Sequence, residues 1–455
     1  MFDKVLIANR GEIAMRVARA CRELGIATVA VYSTEDRDST VVSYADEAVH
    51  IGPGPAKRSY LHIPSIVEAA KLTGAQAVHP GYGFLSEDPD FAEVCAQNDL
   101  VFIGPPADVI ASLGDKCVAT RTMADAGLPI LPGSHGPVAG PDDALAIAER
   151  TGFPVILKAA AGGGGRGMRV LYKADEVVDA YKTVSSEAGA IFGDSRLYLE
   201  RYVASARHVE VQILADSYGK AIHLGVRECS VQRRHQKLLE ESPAPHLPQE
   251  VIDEMGAVSV AGAKAVGYVG AGTFEFLVDE RSEFYFMEAN CRIQVEHPVT
   301  EMVTGIDLVQ EQLRIAAGGR LELEQSDVVN RGWAVECRIN MEDPDRSFAP
   351  APGRIESLVL PGGPFVRVDT HGYPGYRVPA IYDPLLAKVI TWAPTRDEAM
   401  ARMDRALDEF RATGPGIRTT AGFLRRVLAN GEFRSGVYDT GLVARVLGAG
   451  PTDDN

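Results

Sequence analysis

The first 110 residues alternate short apolar segments with amphipathic ones. Residues 4–8 and 27–32 are apolar runs of strand length, and between them apolar side chains recur at helical spacing from Ile13 to Leu24. The same alternation predicts a helix at 63–72 and strands at 75–79 and 101–103. Strands and helices in this order are typical of an open parallel sheet with helices on both faces.

A second region follows a connection rich in glycine and proline at residues 127–141. It contains an apolar strand at 153–159, the segment AAGGGGRG and another strand at 168–172, and it closes near Tyr202. Two strands joined by a glycine-rich loop describe a flap. This region is therefore predicted to be a domain of its own.

The remainder of the chain, from Arg207, is longer and rich in strands. Its segments HVEVQIL, TFEFLV and EFYFMEA each alternate between polar and apolar residues. Near the end, Thr395 and Glu398 form the signature of a capping box, ahead of a helix with an apolar face from Met400 to Phe410. This region should be the largest domain.

Composition narrows the class of protein. A chain of 455 residues suggests about three domains. Its 62 acidic residues outnumber 46 lysines and arginines, for a net charge of −16, and such a surface disfavours nucleic acid and anionic membrane as partners. No apolar run reaches the roughly 18 residues of a membrane span, and the six cysteines include no Cys-x-x-Cys pair. We expect a cytoplasmic protein.

Four consecutive glycines, Gly162, Gly163, Gly164 and Gly165, leave backbone N–H groups uncovered by side chains. Such a loop suits a phosphate, although a flexible hairpin tip is the alternative. It is not a Walker A loop, because no Gly-Lys-Ser/Thr follows and a strand comes next. Lys158 lies where its ammonium would meet a phosphate, or it is simply a solvated lysine.

The segment 273–298 carries the most chemical information. If TFEFLV and FYFMEA form a hairpin, the register that pairs Asp279 with Phe284 also places Glu275 opposite Glu288. Facing carboxylates about 5 Å apart are destabilising unless a cation bridges them. Asn290 follows on the same face, so the site offers hard oxygen ligands suited to Mg²⁺. The alternative is two separately solvated glutamates on an edge strand.

Polar residues continue beyond Asn290. Arg292, Gln294 and Glu296 alternate with apolar residues up to Pro298, which predicts that the strand continues with one polar face. A guanidinium beside a carboxylate is either a surface ion pair or a pocket for a small oxyanion with a base nearby.

A basic cluster at residues 227–237 stands out in so acidic a chain. A solvated basic face is the default interpretation, and binding of polyphosphate by Gln232, His235 and Lys237 is the alternative. His79 and His208 are each ambiguous, because a lone histidine is more often structural than catalytic.

Taken together, these motifs resemble biotin carboxylase, a family of ATP-grasp enzymes, in the family's order over nearly the whole chain. The matching segments are NRGEIAMRVARACRELG (9–25), HPGYGFLSE (79–87), KAAAGGGGRGM (158–168), RHVEVQILAD (207–216), CSVQRRHQK (229–237), GAGTFEFL (270–277), RIQVEHPVTEM (292–302) and AVECRINMEDP (334–344). The resemblance implies an α/β fold with a Rossmann-like N-terminal domain (1–113), a connecting helix (114–130), an ATP-grasp lid (131–203) and a larger α+β C-terminal domain (204–455).

The resemblance also assigns residues by position. ATP would contact Lys116, Lys158, Gly162, Gly163, Gly164, Gly165, His208, Gln232 and His235, with Glu200, Arg201, Val203 and Leu277 around the adenine. Mg²⁺ or Mn²⁺ would be held by Glu275, Glu288 and Asn290. Bicarbonate would be bound by Lys237, Arg292, Gln294, Val295 and Glu296, and Tyr82 and Arg338 would lie near the biotin ring. Glu296, Arg338, Lys237 and Arg292 would be the catalytic set.

Four residues depart from the family pattern without removing a ligand: Ala161, Arg201, Ala289 and Cys291. Cys291 falls on the apolar side of its segment, which favours a buried, inert thiol. None of the lysines has methionine on both sides, so we expect biotin on a separate carboxyl carrier protein.

By resemblance the chain is the carboxylase subunit of an acyl-CoA carboxylase, with acetyl-CoA as the expected acceptor, a separate carboxyltransferase component and a homodimeric state. Propionyl-CoA, another acyl-CoA or pyruvate is the alternative acceptor. Another ATP-grasp ligase would have no reason to carry RIQVEHP or HPGYGF, and a silent nucleotide-binding module should have lost Glu296 or a metal carboxylate.

Overall fold

The computed structural model describes residues 1–161 and 167–448. The chain begins with a five-stranded parallel sheet, as the alternation of apolar segments predicts. From one edge to the other the strands are Glu47–Gly52, Ala27–Ser33, Lys4–Ile7, Ala77–His79 and Val101–Phe102. Its helices are Gly11–Glu23, Thr40–Tyr44, Ile63–Thr73, Pro89–Gln97 and Ala107–Gly114. Gly25, with φ of 71°, follows the first helix in the left-handed conformation that glycine favours at such an end.

A short helix, Lys116–Asp125, leads out of this sheet. The carboxylate of Asp115 caps it by accepting the N–H groups of Cys117 and Val118 at 3.0 and 3.1 Å. This cap fixes Lys116 as the first helical residue. This helix therefore begins at a lysine assigned to the site and lies within residues 114–130, which the sequence predicts to be a connecting helix.

The next region is a small antiparallel sheet with two helices, Pro141–Thr151 and Val177–Phe192. Its central strand, Val155–Ala159, pairs with Met168–Leu171 on one side and Leu197–Arg201 on the other. Lys158 lies opposite Met168, so the two predicted strands do pair as a hairpin. The loop residues 162–166 lie outside the described residues.

One eight-stranded antiparallel sheet forms the centre of the molecule. In spatial order its strands are Phe284–Asn290, Gly270–Val278, Arg207–Ala215, Ala221–Arg233, Gln236–Ser242, Trp333–Asn340, Leu385–Ala393 and Val366–Thr370. The helices Gln249–Ala265, His297–Thr304 and Leu308–Ala316 belong to the same region. The fold class expected from the sequence is confirmed, and this sheet brings segments more than 90 residues apart into adjacent strands.

The C-terminal part adds a second apolar core against the far end of that sheet. The core includes Leu239, Val335, Val389, Met403 and Leu424, all buried. Its helices are Arg396–Glu409, Ala421–Ala429, Gly431–Ser435 and Leu442–Leu447, and short strand pairs join Glu342–Asp343 to Ala349–Pro350, Gly353–Arg354 to Arg377–Val378, and Ser357–Val359 to Arg411–Thr413. Within the described residues, none of the helices is both long and apolar enough to cross a bilayer.

The cap of the helix Arg396–Glu409 provides a stability test. The hydroxyl of Thr395 accepts the backbone N–H of Glu398. We expect Thr395→Ala to lower the free energy of unfolding by about 1 kcal/mol, because the first turn loses a partner for that N–H. Thr395→Ser keeps the oxygen and should unfold like the unmodified protein in a urea titration. Equal midpoints for the alanine and serine variants would contradict the cap.

Candidate active site

A row of charged side chains crosses four adjacent strands of the large sheet. Strand pairing places Glu288 opposite Glu275, Glu275 opposite Glu210, and Glu210 opposite Arg227. Facing carboxylates on neighbouring strands repel each other. The row is therefore stable only if cations lie among the glutamates.

The ammonium of Lys237 lies among three carboxylates. Its Nζ is 2.6 Å from Glu210 Oε2, 3.1 Å from Glu275 Oε1 and 2.6 Å from Glu296 Oε1. Burial lowers the pKa of Lys237, but these three carboxylates outweigh burial and raise that pKa well above its ordinary value. Lys237 is thus held charged, and the predicted solvated basic face is wrong at this position because the lysine points into the protein.

Arg227, the first residue of the same basic cluster, is also fully buried. Its guanidinium donates to Glu210 Oε1 at 2.5 Å, Gln212 at 2.6 Å and Gln294 Oε1 at 2.8 Å. Since the Gln294 oxygen accepts from arginine, its Nε2 group is left to donate to Glu275 Oε1, at 2.6 Å. Arg227 therefore orients the Gln294 amide with its N–H group toward the charged cluster.

Glu296 connects Lys237 to Arg338. Its Oε2 accepts from Arg338 Nη2 at 3.0 Å, and Arg338 Nε donates to Glu240 Oε1 at 2.6 Å. Burial acts to raise the pKa of Glu296, but Lys237, Arg338 and Arg227 hold it far below its ordinary range. Burial and the Glu296 charge raise the pKa of Glu240 to about 7 against the opposing effect of Arg338. Arg338 is thus held by two carboxylates, rather than by Glu336 in a surface pair.

The hairpin that carries the predicted metal ligands has a different register near its turn from the one predicted, but it pairs the same two glutamates. Phe284 pairs with Val278 rather than Asp279, and a shift between Glu275 and Phe276 then restores the expected pairing of Glu275 with Glu288. Such a bulge adds one residue to a single strand. The predicted pair of glutamates is therefore present, although the predicted register holds only beyond the bulge.

Separate cations compensate the two facing glutamates. Lys116 Nζ donates to Glu288 Oε2 at 2.7 Å. His208 Nε2 lies 2.8 Å from Glu275 Oε2, and the Glu275 charge raises the histidine pKa against the opposing effect of burial. The sequence predicts a single cation bridging the two glutamates, and in this structure His208 and Lys116 each supply positive charge to one of them.

The predicted continuation of the strand past Asn290 is wrong. The strand ends there, and Glu296 is the N-cap of the helix His297–Thr304. Pro298 is tolerated in the first turn of a helix because its missing N–H would have no partner there. The irregular segment nevertheless brings its polar side chains to one place: Arg292 donates to Asn290 Oδ1 at 2.7 Å and to Glu87 at 2.8 Å.

The other residues predicted for the site have contacts outside the cluster around Lys237 or lie at its edge. Lys158 donates to Glu200 at 2.7 Å, and Tyr82 donates its hydroxyl proton to Glu12. Gln232 pairs with Lys237 across a strand hairpin whose exposed turn contains His235, and Leu277 pairs with His208. Arg201 is exposed and Val203 half-buried. The glycines from Gly162 to Gly165 lie outside the described residues.

Sequence reasoning did not assign three members of the cluster, namely Glu210, Arg227 and Glu240. A signal for Glu210 was present, because His208, Glu210 and Gln212 alternate with apolar residues in RHVEVQIL. Glu240 follows two leucines and has no such pattern around it. Its role depends on the pairing of its strand with Trp333–Asn340, which is a long-range contact.

Comparisons with known proteins show which family the chain is similar to. Family models described as "Biotin carboxylase, N-terminal domain", "Carbamoyl-phosphate synthase L chain, ATP binding domain" and "Biotin carboxylase C-terminal domain" match residues 1–110, 115–324 and 336–445. The chain is 54% identical over 441 residues to "Biotin carboxylase 1" of Bacillus subtilis, covering 97% of this chain and 98% of that protein.

Two solved structures are equally similar to the chain. One is the Campylobacter jejuni biotin carboxylase in complex with β,γ-ATP, with a TM-score of 0.95 and 46% identity. The other is the biotin carboxylase domain dimer of Hydrogenobacter thermophilus 2-oxoglutarate carboxylase with MgADP, ADP and bicarbonate, also at a TM-score of 0.95 and 46% identity. Each match covers 98% of this chain and 99% of that chain.

The cysteines near the site should be unreactive. All six are buried free thiols. Burial raises the pKa of Cys291, as the sequence analysis expected for an inert thiol, and burial raises that of Cys117, beside Lys116, to about 11. We expect less than one thiol per folded chain to react with a disulfide reagent at pH 8, and all six after unfolding in guanidinium.

A positive control is available at an exposed turn. Ser217→Cys should add one rapidly reacting thiol. Rapid stoichiometric labelling of the unmodified folded protein would show that one of the six is accessible as thiolate.

Proposed function

The chain belongs to the biotin carboxylase family, and on that basis we propose that it carboxylates biotin with ATP and bicarbonate. The observation that carries the proposal is the buried contact of Glu296 with both Lys237 and Arg338. A carboxylate between two cations offers a base next to charges that can bind a small oxyanion. The identity and coverage of the relatives support the same activity.

ATP binds between the lid and the large sheet in this proposal. Residues 131–203 form the lid, residues 1–113 the N-terminal domain, residues 114–130 the connecting helix and residues 204–455 the C-terminal domain. ATP is contacted by Lys116, Lys158, the glycine loop, His208, Gln232 and His235, and its adenine is held by Glu200, Arg201, Val203 and Leu277. Closure of the lid would exclude water from a reactive intermediate.

Bicarbonate occupies the space beside Lys237, Arg292, Gln294, Val295 and Glu296. Glu296 takes the bicarbonate proton, the freed oxygen attacks the γ-phosphorus of ATP, and ADP leaves, which gives carboxyphosphate. Three nearby cations keep the Glu296 pKa low in the free protein. A bound anion would neutralise part of that positive field and raise the pKa, so the base becomes effective when its substrate is present.

The residues assigned to Mg²⁺ fit a divalent ion. Glu275 and Glu288 face each other, and Asn290 donates its Nδ2–H to Glu275 Oε1 at 2.8 Å, so the amide lies beside the carboxylates. Its ligand atom would be Oδ1, which accepts from Arg292 at 2.7 Å and would have to exchange that partner for the ion. Mg²⁺, or Mn²⁺ in its place, would be held by these three residues and would neutralise charge on the phosphates. Lys116 and Lys237 already lie against the same carboxylates and would contribute positive charge to the same region.

Biotin would approach from the side of Tyr82 and Arg338. Carboxyphosphate breaks down to CO₂ and phosphate, the phosphate takes the ureido N–H proton, and the ring nitrogen attacks CO₂. Arg338 stabilises the enolate-like oxygen of the deprotonated ring. Two carboxylates hold its guanidinium in place, which supports this assignment.

We further propose that the biotin is attached to a separate carrier protein and that a carboxyltransferase component passes the carboxyl group to acetyl-CoA. The support is similarity over almost the full length of the Bacillus subtilis protein named biotin carboxylase 1. A 2-oxo acid acceptor is the second candidate, because the Hydrogenobacter thermophilus relative is part of a 2-oxoglutarate carboxylase. The dimer named in that relative's structure supports a homodimer here.

The direct test is ATP cleavage with and without bicarbonate, followed by addition of free biotin. We expect cleavage to require bicarbonate and to accelerate with biotin. Cleavage that ignores both additions would reject the proposal in favour of another ATP-grasp reaction.

The metal assignment predicts the behaviour of one glutamate variant. Glu288→Gln should abolish ATP turnover while the protein stays folded, because an amide binds Mg²⁺ less well than a carboxylate. Glu283→Gln, on the exposed turn of the same hairpin, is the matched control and should turn over normally. Substantial turnover by Glu288→Gln in saturating Mg²⁺ would remove Glu288 from the metal site.

Arg338 separates the two half-reactions. Arg338→Gln should reduce biotin carboxylation on the order of 10²–10³-fold, as loss of one oxyanion donor typically does. Bicarbonate-dependent ATP cleavage without biotin should survive, because Glu296 retains Lys237 as a partner. Both rates are measured on one preparation, and a parallel loss of the two would refute this division of roles.

A further inference from the structure

Lys388 is a fully buried lysine outside the residues assigned above. It lies in the strand Leu385–Ala393, and its Nζ donates to the carbonyl oxygen of Val295 at 2.8 Å. Val295 belongs to the irregular segment proposed to bind bicarbonate. The buried ammonium therefore fixes the backbone of that segment from the side of the C-terminal core.

The same ammonium contacts the N-terminal domain. Nζ of Lys388 is 3.2 Å from Glu12 Oε1, and Tyr82 donates its hydroxyl proton to that same oxygen. Glu12 Oε2 has no hydrogen-bond partner within residues 1–161 and 167–448. Glu12 therefore joins Lys388 to Tyr82 through one oxygen, and the chain of contacts runs from the bicarbonate segment to the tyrosine assigned to biotin.

The buried pair of Lys388 and Glu12 is poorly explained by a contribution to folding stability alone. Burying an ammonium and a carboxylate costs several kcal/mol per ion, and apolar replacements of buried pairs are often neutral or stabilising. Two other buried carboxylates are near Lys388. Asp369, at 3.9 Å, already pairs with Arg367 at 2.6 Å. Burial raises the pKa of Glu336 against the opposing charge of Lys388, and both Glu336 oxygens lack a hydrogen-bond partner within the described residues. A lysine is thus not required to neutralise Asp369, and its closer contacts are those to Val295 and Glu12.

We propose that Lys388 and Glu12 are positioning residues that hold the Val295 carbonyl and the Tyr82 hydroxyl in a fixed relation, and so couple the bicarbonate and biotin sides of the site. The inference rests on the proposed function. Neither residue contacts a reacting atom in this scheme, and each acts through the group that it holds.

The first test measures bicarbonate binding without biotin. In bicarbonate-dependent ATP cleavage, Lys388→Met should raise KM for bicarbonate about tenfold and leave KM for ATP within twofold, because only the Val295 segment is released. Glu12→Gln keeps the size of the side chain and should show the same direction with a smaller effect. Lys220→Met removes a surface ion pair with Glu324 and serves as the matched control.

The outcomes separate this inference from the proposed function. If the unmodified protein shows no dependence on bicarbonate, the proposed function fails. If the unmodified protein depends on bicarbonate and both folded variants keep its KM, the positioning role is overturned. Should neither variant fold, or should KM for ATP rise equally, the cluster has a general structural role and the proposal is likewise overturned.

A double-mutant cycle tests the link to Tyr82. The changes in kcat/KM for biotin are compared for Lys388→Met, Tyr82→Phe and the combined variant. If Glu12 joins the two residues, the combined loss should differ from the product of the single losses by about fivefold. A combined loss equal to that product would show that Lys388 does not act on Tyr82.

Discussion

The site depends on the burial of one ammonium, that of Lys237, among Glu210, Glu275 and Glu296. Neither the lysine nor any of these carboxylates can be buried alone, because an unpaired ion in the interior costs several kcal/mol. The four residues come from three strands and from the N-cap of a helix. Their mutual neutralisation therefore requires those elements to meet in one arrangement, and the large sheet supplies it.

The same interaction explains how the site suits an anion. Arg227, Arg292, Arg338 and His208 surround the cluster, and each already has an acidic or amide partner. A small oxyanion can take the place of a carboxylate as the partner of one of these cations, so its negative charge is compensated where it binds. In the proposed reaction, preorganised cations of this kind would favour transfer of a phosphoryl group to bicarbonate and would keep Glu296 ionised until that substrate arrives.

Much of this was predictable from the sequence, and the exceptions have physical causes. Local alternation located the parallel sheet, the hairpin and the cap at Thr395, because each depends on neighbours in the chain.

The burial of Arg227 was not predictable, since it depends on Glu210, Gln212, Thr300 and Gln294 meeting across different elements. The stop at Asn290 was missed because an irregular segment can bring alternating side chains together as a strand does. Lys388 gave no local signal, because its partners lie 93 residues away at Val295 and in another domain at Glu12.

In the proposed reaction, a bicarbonate oxygen that is freed by Glu296 beside Lys237 attacks the γ-phosphorus of ATP. Oxygen-18-labelled bicarbonate tests this most directly, through the isotope content of the phosphate released in biotin carboxylation. We expect one labelled oxygen in each phosphate, because the attacking oxygen stays with phosphorus when carboxyphosphate breaks down. Phosphate that carries oxygen only from ATP and water would contradict it.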